Sequence, residues 1–173
     1  MPMRSALRHP IAALALALCA AVCGCSATAG EPPPGSGSGR VVRVVDGDTI
    51  RVALASGEER VRYIGVDAPE SVKPGAPVEC FAKRASAFNE RLVAGERVEL
   101  VRDVEERDRY GRLLAYVYRA RDGLFVNAEL VRRGYATAAT FPPNVAHERE
   151  LRRLAKRARL SGRGLWSECE GAG

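Results

Sequence analysis

Apolar and polar residues alternate along the first strongly patterned part of the chain. The alternation is clearest in Thr49–Leu54 and returns in Val61–Ile64, and a period of two residues predicts half-buried β-strands. Ser56 and Gly57 are turn residues between the two runs, so the pattern predicts a β-hairpin. Pro69 ends the second run, because proline interrupts a strand ladder.

Three later segments repeat their apolar residues at helical spacing. The first runs from about Glu79 to Ala94, the second is the short segment AELVRR closed by Gly134, and the third runs from Asn144, a predicted N-cap, to Gly162. Two more strand-like runs, RVELVRD and LLAYVYRA, lie between the first two helices. This order predicts an α+β fold. Five short strands, with one helix inserted before the last two, favour a five-stranded Greek-key β-barrel of the OB type with three α-helices.

The N-terminal residues have a different pattern. A basic start leads into the apolar run Ile11–Val22, which is too short to span a bilayer comfortably and is typical of a secretory signal peptide over residues 1–29. Two cleavage sites fit. The small residues Ala27–Ala29 suit ordinary cleavage, whereas VCGC suits lipoprotein processing after residue 24, which would leave Cys25 as a lipidated N-terminus. We therefore expect an exported protein, either secreted, periplasmic or attached to the cell envelope through Cys25.

The rest of the chain divides into a linker, one domain and a short tail. Residues 30–40 are rich in Pro, Gly and Ser and predict a flexible linker. We expect the folded domain over residues 41–169 and a tail over residues 170–173. The domain holds two cysteines, Cys80 and Cys169, which in an exported chain are candidates for one disulfide, with two free thiols as the alternative.

The chain is basic, with a formal net charge of +6. This balance favours an anionic partner, such as nucleic acid or an acidic membrane surface, but it also occurs in proteins that bind neither. The third predicted helix concentrates the charge on the face opposite its apolar residues. Its basic residues are Arg149, Arg152, Arg153, Lys156, Arg157 and Arg159. This face predicts a solvated helix surface, with contact to nucleic acid as the alternative.

Several kinds of catalytic site are excluded by what the predicted domain lacks. Its single histidine, His147, lies at the start of the third helix and is predicted to be a surface residue. There is no phosphate-binding loop, no G-x-G-x-x-G motif after a strand, and no C-x-x-C pair. Chemistry in this domain must therefore come from carboxylates, arginines and a hard metal ion.

Carboxylates and arginines cluster at the predicted strand ends. If the hairpin turns at SGE, the residues around Asp48 pair with those around Asp67, so these two carboxylates can converge. Such a pair, with carbonyl oxygens and water, suits Ca²⁺. Arg62 lies in the second strand and Arg112 is the last residue of the charged turn VEERDRYGR. Guanidinium groups match phosphate oxygens.

Taken together, the motifs resemble the staphylococcal nuclease (thermonuclease) family. VVDGDTIRV, VRYIGVDAPE, DRYGRLLAYVY and VNAELVRRGYA, followed by GLW, occur in that family's order between Val41 and Glu168. The resemblance implies the OB barrel with three helices. It also implies a Ca²⁺-dependent endonuclease that hydrolyses single-stranded or frayed DNA and RNA with little sequence preference, and we expect a monomer.

The resemblance also implies a metal-binding set. Asp48, Asp67 and the backbone carbonyl of Ala68 would hold one Ca²⁺, with Asp46 and Thr49 as supporting groups around it. The type member of the family has threonine in place of Ala68, a change that removes a hydroxyl but keeps the backbone ligand.

The resemblance assigns the remaining roles to residues around the phosphate. Glu70 would be the general base that activates water, and Arg62 and Arg112 would grip the scissile phosphate. Arg109 and Tyr110 would contact a neighbouring phosphate. A further aromatic residue, Phe141, lies in a loop where the type member has two tyrosines, and it could stack on a base.

Two other functions compete with a nuclease. A non-catalytic nucleic-acid-binding domain could have the same fold, but we would expect it to have lost Glu70 or one of the arginines. A tethered structural or adhesion domain would leave the set of carboxylates and arginines unexplained.

Overall fold

The computed structural model describes residues 37–71, 75 and 77–169. The predicted signal peptide, the lipidation candidate Cys25, the beginning of the linker and the tail 170–173 lie outside the described residues. Within the described ranges, no helix is long and apolar enough to cross a membrane.

Eight strands and four helices make up the described chain. In chain order they are β1 (Gly37–Val44), β2 (Thr49–Leu54), β3 (Gly57–Tyr63), β4 (Val66–Asp67), α1 (Ala82–Val93), β5 (Arg97–Val101), β6 (Leu113–Arg119), β7 (Leu124–Phe125), α2 (Val126–Arg133), β8 (Thr137–Ala138), α3 (Glu148–Leu160) and the short α4 (Leu165–Glu168). The strand order is β3-β2-β1-β5-β6, and β6 also pairs in parallel with β3. This pairing closes a five-stranded barrel, which with α1, α2 and α3 confirms the predicted fold class.

Alternation along the strands fills the barrel. Inward-facing residues of β2 and β3 such as Ile50, Val52 and Val61 are completely buried, as are Val98 of β5 and Val117 of β6. Each such side chain contributes about 1.5–3 kcal/mol relative to an exposed one. Helices α1, α2 and α3 add buried residues to the same apolar cluster, among them Val93, Leu130 and Leu151. The strands of the barrel and the three helices therefore share one hydrophobic core.

The predicted pairing of Asp48 with Asp67 is wrong, although the two carboxylates still converge. Thr49 pairs with Arg62 across the hairpin, and the N–H of Tyr63 donates to the carbonyl of Asp48 at 2.9 Å. Asp67 comes close because the chain turns at Gly65, which has a φ of 77°. Only glycine adopts this conformation readily, so the turn rather than the register brings the two carboxylates together.

The ends of several elements differ from the prediction. Strand β1 starts at Gly37, before the predicted domain boundary at Val41, because residues 37–40 pair with β5. Helix α1 begins at Ala82 rather than near Glu79. The chain turns at Phe81, whose φ of 69° is left-handed and incompatible with an α-helix.

Helix α3 begins at Glu148, so the predicted N-cap Asn144 is wrong. The carboxamide of Asn144 instead accepts the N–H of Glu105 at 2.7 Å and donates to its carbonyl at 2.9 Å. His147 is also not a plain surface residue, because its ring packs against Tyr116 at 4.5 Å and Phe125 at 4.8 Å. Tertiary contacts with the barrel therefore decide where this helix starts.

The predicted disulfide between Cys80 and Cys169 is confirmed, with their Cα atoms 5.9 Å apart. It joins the chain just before α1 to the end of α4.

Candidate functional site

The segment Asp46–Gly47–Asp48 forms a tight bend between β1 and β2. A carboxylate oxygen of Asp46 accepts the N–H of Asp48 at 3.0 Å, which closes a turn of the type that aspartate favours. A Cβ on Gly47 would lie 2.5 Å from the Cβ of Ala68, so only glycine allows this close approach. The bend therefore presses Asp48 against the chain that follows β4.

Asp48 is a buried carboxylate, with only 6% of the residue exposed. Its Oδ2 accepts the N–H of Ala68 at 2.7 Å, and its Oδ1 accepts the hydroxyl of Thr49 at 3.2 Å. Burial raises the pKa of Asp48 to about 7, against the opposing effect of the Arg62 guanidinium. Asp46 and Asp67 raise this pKa further, so negative charge is in excess at this position.

Arg62 connects the two predicted metal-binding carboxylates. Its Nε lies 3.3 Å from Asp48 Oδ1 and its Nη2 donates to Asp67 Oδ1 at 2.9 Å. Its Nη1 donates to the carbonyls of Val66 at 2.7 Å and Tyr63 at 3.0 Å. The guanidinium is thereby fixed on several sides, and it carries more N–H donors than these contacts use. A further anion can therefore bind to it.

The donor set fits a hard divalent cation. Asp48 and Asp67 converge on one guanidinium, and the excess of carboxylates over arginine leaves charge to be balanced, which oxygen-binding cations such as Ca²⁺ do. Across the described part of the chain, no group of three or more His, Cys, Asp or Glu side chains gathers at metal-binding distance. Two carboxylates would thus need backbone oxygens and water to complete a coordination shell.

Glu70 follows directly on this segment and is partly buried. Its N–H donates to a carboxylate oxygen of Glu79 at 2.9 Å, and its carbonyl accepts the N–H of Glu79 at 3.0 Å. These contacts hold the backbone of Glu70, which follows Asp67 by three residues in the chain.

Arg112 lies on the same face of the barrel as Arg62. Val61 and Leu113 are partners in the parallel pairing of β3 and β6, and both point into the core. Because neighbouring residues of a strand point to opposite faces, Arg62 and Arg112 share the outward face. Both side chains therefore leave the same side of the sheet, with Arg112 directly before β6.

Asp108 holds Arg112 and is a functional candidate that the sequence prediction missed. Its Oδ2 accepts the Nε of Arg112 at 2.7 Å, and its Oδ1 accepts the backbone N–H groups of Arg112 and Tyr110. Burial raises the pKa of Asp108, but these hydrogen bonds outweigh it and keep the pKa below its usual value. The signal in the sequence was an aspartate four residues before Arg112, on the other side of a tight turn.

Arg109 and Tyr110 form an exposed stack at the tip of this turn. The guanidinium carbon of Arg109 lies 4.8 Å from the centre of the Tyr110 ring, and the hydroxyl of Tyr110 accepts from Arg109 at 2.6 Å. Arg112 approaches the same ring at 5.5 Å. Positive charge and an aromatic surface are thus available together.

Phe141 is also exposed, but within the described ranges no hydrogen bond or ring contact joins its side chain to Asp48, Arg62 or Arg112. Asn144 fixes the loop that carries Phe141 to Glu105, in the connection between β5 and β6 that also carries Arg109. The N–H of Ala146 also donates to a carboxylate oxygen of Asp103 at 3.1 Å, so several hydrogen bonds join the two loops that carry exposed aromatic residues.

Comparison with known proteins gives a consistent result. The family model described as "Staphylococcal nuclease homologue" matches residues 60–168. The thermonuclease of Staphylococcus intermedius is 42% identical over 126 residues, which cover 73% of this chain and 74% of that protein. The thermonuclease of Staphylococcus hyicus is 39% identical over 128 residues, covering 74% and 75%. Endonuclease YncB of Bacillus subtilis strain 168 is 38% identical over 128 residues, covering 73% and 60%.

Proposed function

The chain belongs to the staphylococcal nuclease family and is a hydrolytic nuclease, and we propose that it is an exported, Ca²⁺-dependent endonuclease acting on DNA and RNA. The observation that supports the proposal best is the fixed Arg62 guanidinium, which contacts the buried Asp48 and the exposed Asp67 and lies on the same face as Arg112. Such a face offers positive charge to a phosphodiester and oxygen ligands to a cation.

Binding of the scissile phosphate falls to the two arginines. In-line attack on a phosphodiester increases the charge on the phosphoryl oxygens, so the reaction is accelerated chiefly by groups already aimed at those oxygens. Arg62 is oriented by Asp67 and two backbone carbonyls, and Arg112 by Asp108. Because these contacts exist before substrate arrives, little side-chain freedom is lost in the transition state.

Asp48, Asp67 and the backbone carbonyl of Ala68 would hold Ca²⁺ beside this phosphate. When bound, the ion would supply positive charge to the phosphoryl oxygens and to attacking water. Thr49 and Asp46 support Asp48, the first through its hydroxyl and the second through the turn that sets the Asp48 backbone.

Glu70 is proposed to accept the proton of the attacking water. Asp48 and Asp67 contact Arg62, and Asp108 contacts Arg112. The likeness to the family assigns the base to Glu70, which follows Asp67 and Ala68 closely in the chain. A general base of this kind contributes about 10²–10⁴-fold to the rate. Tyr110 and Phe141 would contact the nucleotide beside the scissile phosphate, where stacking on a base contributes about 1–3 kcal/mol.

Export is proposed from the apolar run Ile11–Val22 and agrees with the disulfide, since disulfides persist in oxidising compartments. The mass of the mature protein purified from its native host distinguishes cleavage after residue 29 from a lipidated Cys25. An uncleaved N-terminus would contradict export through this segment.

The deciding experiment compares the full chain with Glu70→Gln on single-stranded DNA, with Ca²⁺ and then with chelator. We expect Ca²⁺-dependent cleavage by the wild type and a loss of about 10²-fold or more in the variant, with DNA binding retained. Glu90→Gln, a change of an exposed glutamate on α1, is the matched control and should cleave normally.

Two results would count against the proposal. Equal turnover by the wild type and Glu70→Gln would remove Glu70 from the reaction. Binding without any cleavage, weakening steeply with salt, would instead support a non-catalytic nucleic-acid-binding domain.

A further inference from the structure

Glu70 and Glu79 are joined by two hydrogen bonds between segments that are nine positions apart in the chain. The backbone N–H of Glu79 donates to the carbonyl of Glu70 at 3.0 Å. In return, the carboxylate of Glu79 accepts the N–H of Glu70 at 2.9 Å. Both polar groups of the Glu70 backbone are thereby engaged by one residue, so any displacement of Glu79 is transmitted to Glu70.

Glu79 is itself fixed from the C-terminal end of the chain. The next residue, Cys80, forms the disulfide with Cys169, across a sequence separation of 89 residues. One turn further on, Arg84 of α1 makes an ion pair with Glu168, the neighbour of Cys169. Cys169 and its neighbour Glu168 therefore hold Cys80 and Arg84, which follow Glu79 in the chain.

Glu79 and the two residues that connect it to the C-terminal segment lie at the surface. Glu79, Cys80 and Arg84 are exposed, and an open cavity of about 280 Å³ adjoins them. Val78, Lys83 and Glu168 are among the residues that line it. The carbonyl of Glu79 also accepts the N–H of Ala82 at 3.1 Å, and the disulfide and the ion pair connect this start of α1 to the C-terminal segment.

From this arrangement we infer that Glu79 is a positioning residue for Glu70, and that the Cys80–Cys169 disulfide holds Glu79 in place. The inference rests on the proposed function, in which Glu70 accepts the proton of water. Its consequence is that the C-terminal segment, which lies outside the site, controls turnover through the backbone of Glu70 and leaves the phosphate-binding arginines unaffected.

The first test changes Glu79 and keeps the disulfide. Glu79→Ala removes the acceptor of the Glu70 N–H, whereas Glu79→Gln keeps a carbonyl oxygen in its place. Misplacing a catalytic group by about 1 Å can cost about 10²-fold, so we expect kcat of Glu79→Ala to fall about 10- to 100-fold with an unchanged KM. Glu79→Gln should recover most of this loss, and Glu90→Ala on the helix that follows should behave as wild type.

The second test places the same changes in the Glu70→Gln background. If Glu79 acts through Glu70, then Glu79→Ala and the double change Cys80→Ala/Cys169→Ala should reduce kcat in the wild-type background and have no further effect in Glu70→Gln. Assays are run well below the melting temperature of each variant, because loss of the disulfide lowers stability. If the cysteine variant does not fold, Arg84→Gln removes the ion pair with Glu168 and tests the attachment to the C-terminal segment with the disulfide intact.

The outcomes separate the two ideas. A large loss in Glu70→Gln with normal turnover in Glu79→Ala overturns the positioning role and leaves the proposed function standing. Equal losses from Glu79→Ala in both backgrounds also overturn it, because the effect would not pass through Glu70. Normal turnover in Glu70→Gln overturns the assignment of the base, and the positioning role falls with it.

Discussion

Two sets of basic side chains on this molecule are held in opposite ways. Arg62 and Arg112 in the candidate site are each fixed by carboxylates, Arg62 by Asp48 and Asp67 and Arg112 by Asp108. The outer face of α3 has a higher density of charge but fewer such contacts. Its cations without an ion pair among the described residues are Arg149, Arg153, Lys156, Arg157 and Arg159, the last of which lies over the ring of Trp166.

This difference separates charge that is positioned from charge that is merely present. A fixed guanidinium has lost its side-chain freedom before substrate arrives and presents donors in a defined direction. A solvated cation attracts an anion over about a Debye length, and salt screens that attraction. The net charge of +6 is therefore a poor guide to the site.

Burying the Asp48 carboxylate next to Arg62 lowers the stability of the folded chain when the carboxylate is ionised. The largest effect that we expect is the resulting dependence of the free energy of unfolding on pH. The pKa of Asp48 is raised from 3.8 to about 7 in the folded chain, so the folded state binds this proton more tightly than the unfolded state. Protonated Asp48 therefore contributes its full share of the free energy of unfolding below about pH 4. This contribution, on the order of 4 kcal/mol in the absence of metal, is lost as the pH rises towards 7 and above. The measurement is urea unfolding in chelator from about pH 4 to 8.

The Asp48→Asn variant gives the comparison for this pH dependence. Its unfolding free energy should vary less with pH over the same range, because the group that titrates is gone. Parallel curves for the wild type and the variant would show that Asp48 is not the group responsible. Under the proposed function, Ca²⁺ should raise the stability of the wild type at neutral pH and leave that of the variant unchanged.

The second prediction changes the shape of the side chain at position 62 and keeps its positive charge. Arg62→Lys keeps the positive charge but cannot reach Asp48, Asp67 and the backbone carbonyls at once, so kcat/KM should fall about 10²–10³-fold. Arg153→Lys on α3 is the matched change and should alter kcat/KM by less than about twofold. Similar small effects at both positions would contradict the distinction between fixed and solvated cations.

Much of the fold could be predicted because local pattern and tertiary structure agree. Alternation in Thr49–Leu54 reflects a strand with one face in the core, and the glycine after AELVRR closes α2 in a left-handed conformation, with φ of 75° at Gly134. The convergence of Asp48 and Asp67 was also anticipated, but for the wrong reason. The turn at Gly65 depends on backbone conformation, which alternation does not encode.

The features that the sequence did not reveal are long-range contacts of polar side chains. Asn144 looks like a helix cap, yet it binds the backbone of Glu105. Glu79 looks like the first residue of a helix, yet it binds Glu70. In both cases a polar residue that is suited to a helix terminus binds a residue distant in the chain instead. Local propensity carries no information about that distant partner.

Asp108 allows a third test, of intermediate size. Asp108→Asn removes the charge that holds Arg112, so kcat/KM should fall about 10-fold, as expected when a positioned donor loses part of its orientation. Asp122→Asn is the matched control, because Asp122 holds Arg119 through the same kind of paired contact away from the site. The measurement is steady-state cleavage of a short oligonucleotide, and equal effects of the two changes would deny Asp108 its role.

The smallest effect is expected on α3. Replacing Arg149, Arg153 and Arg157 with glutamine removes three solvated charges and no fixed interaction. Cleavage of a short oligonucleotide should then be unchanged, while kcat/KM on long DNA should fall by about threefold at about 0.15 M salt and approach wild type as salt rises.

The salt dependence of DNA binding separates attraction by α3 from direct binding. A face that only attracts leaves the slope of log affinity against log salt nearly unchanged in the triple variant. If these arginines bind phosphates directly, the slope should instead become shallower by about 0.7 to 0.9 for each phosphate that is no longer neutralised. A reduction of about two or more in that slope would therefore mean that α3 binds the nucleic-acid backbone itself, and solvated charge would then be part of the binding surface after all.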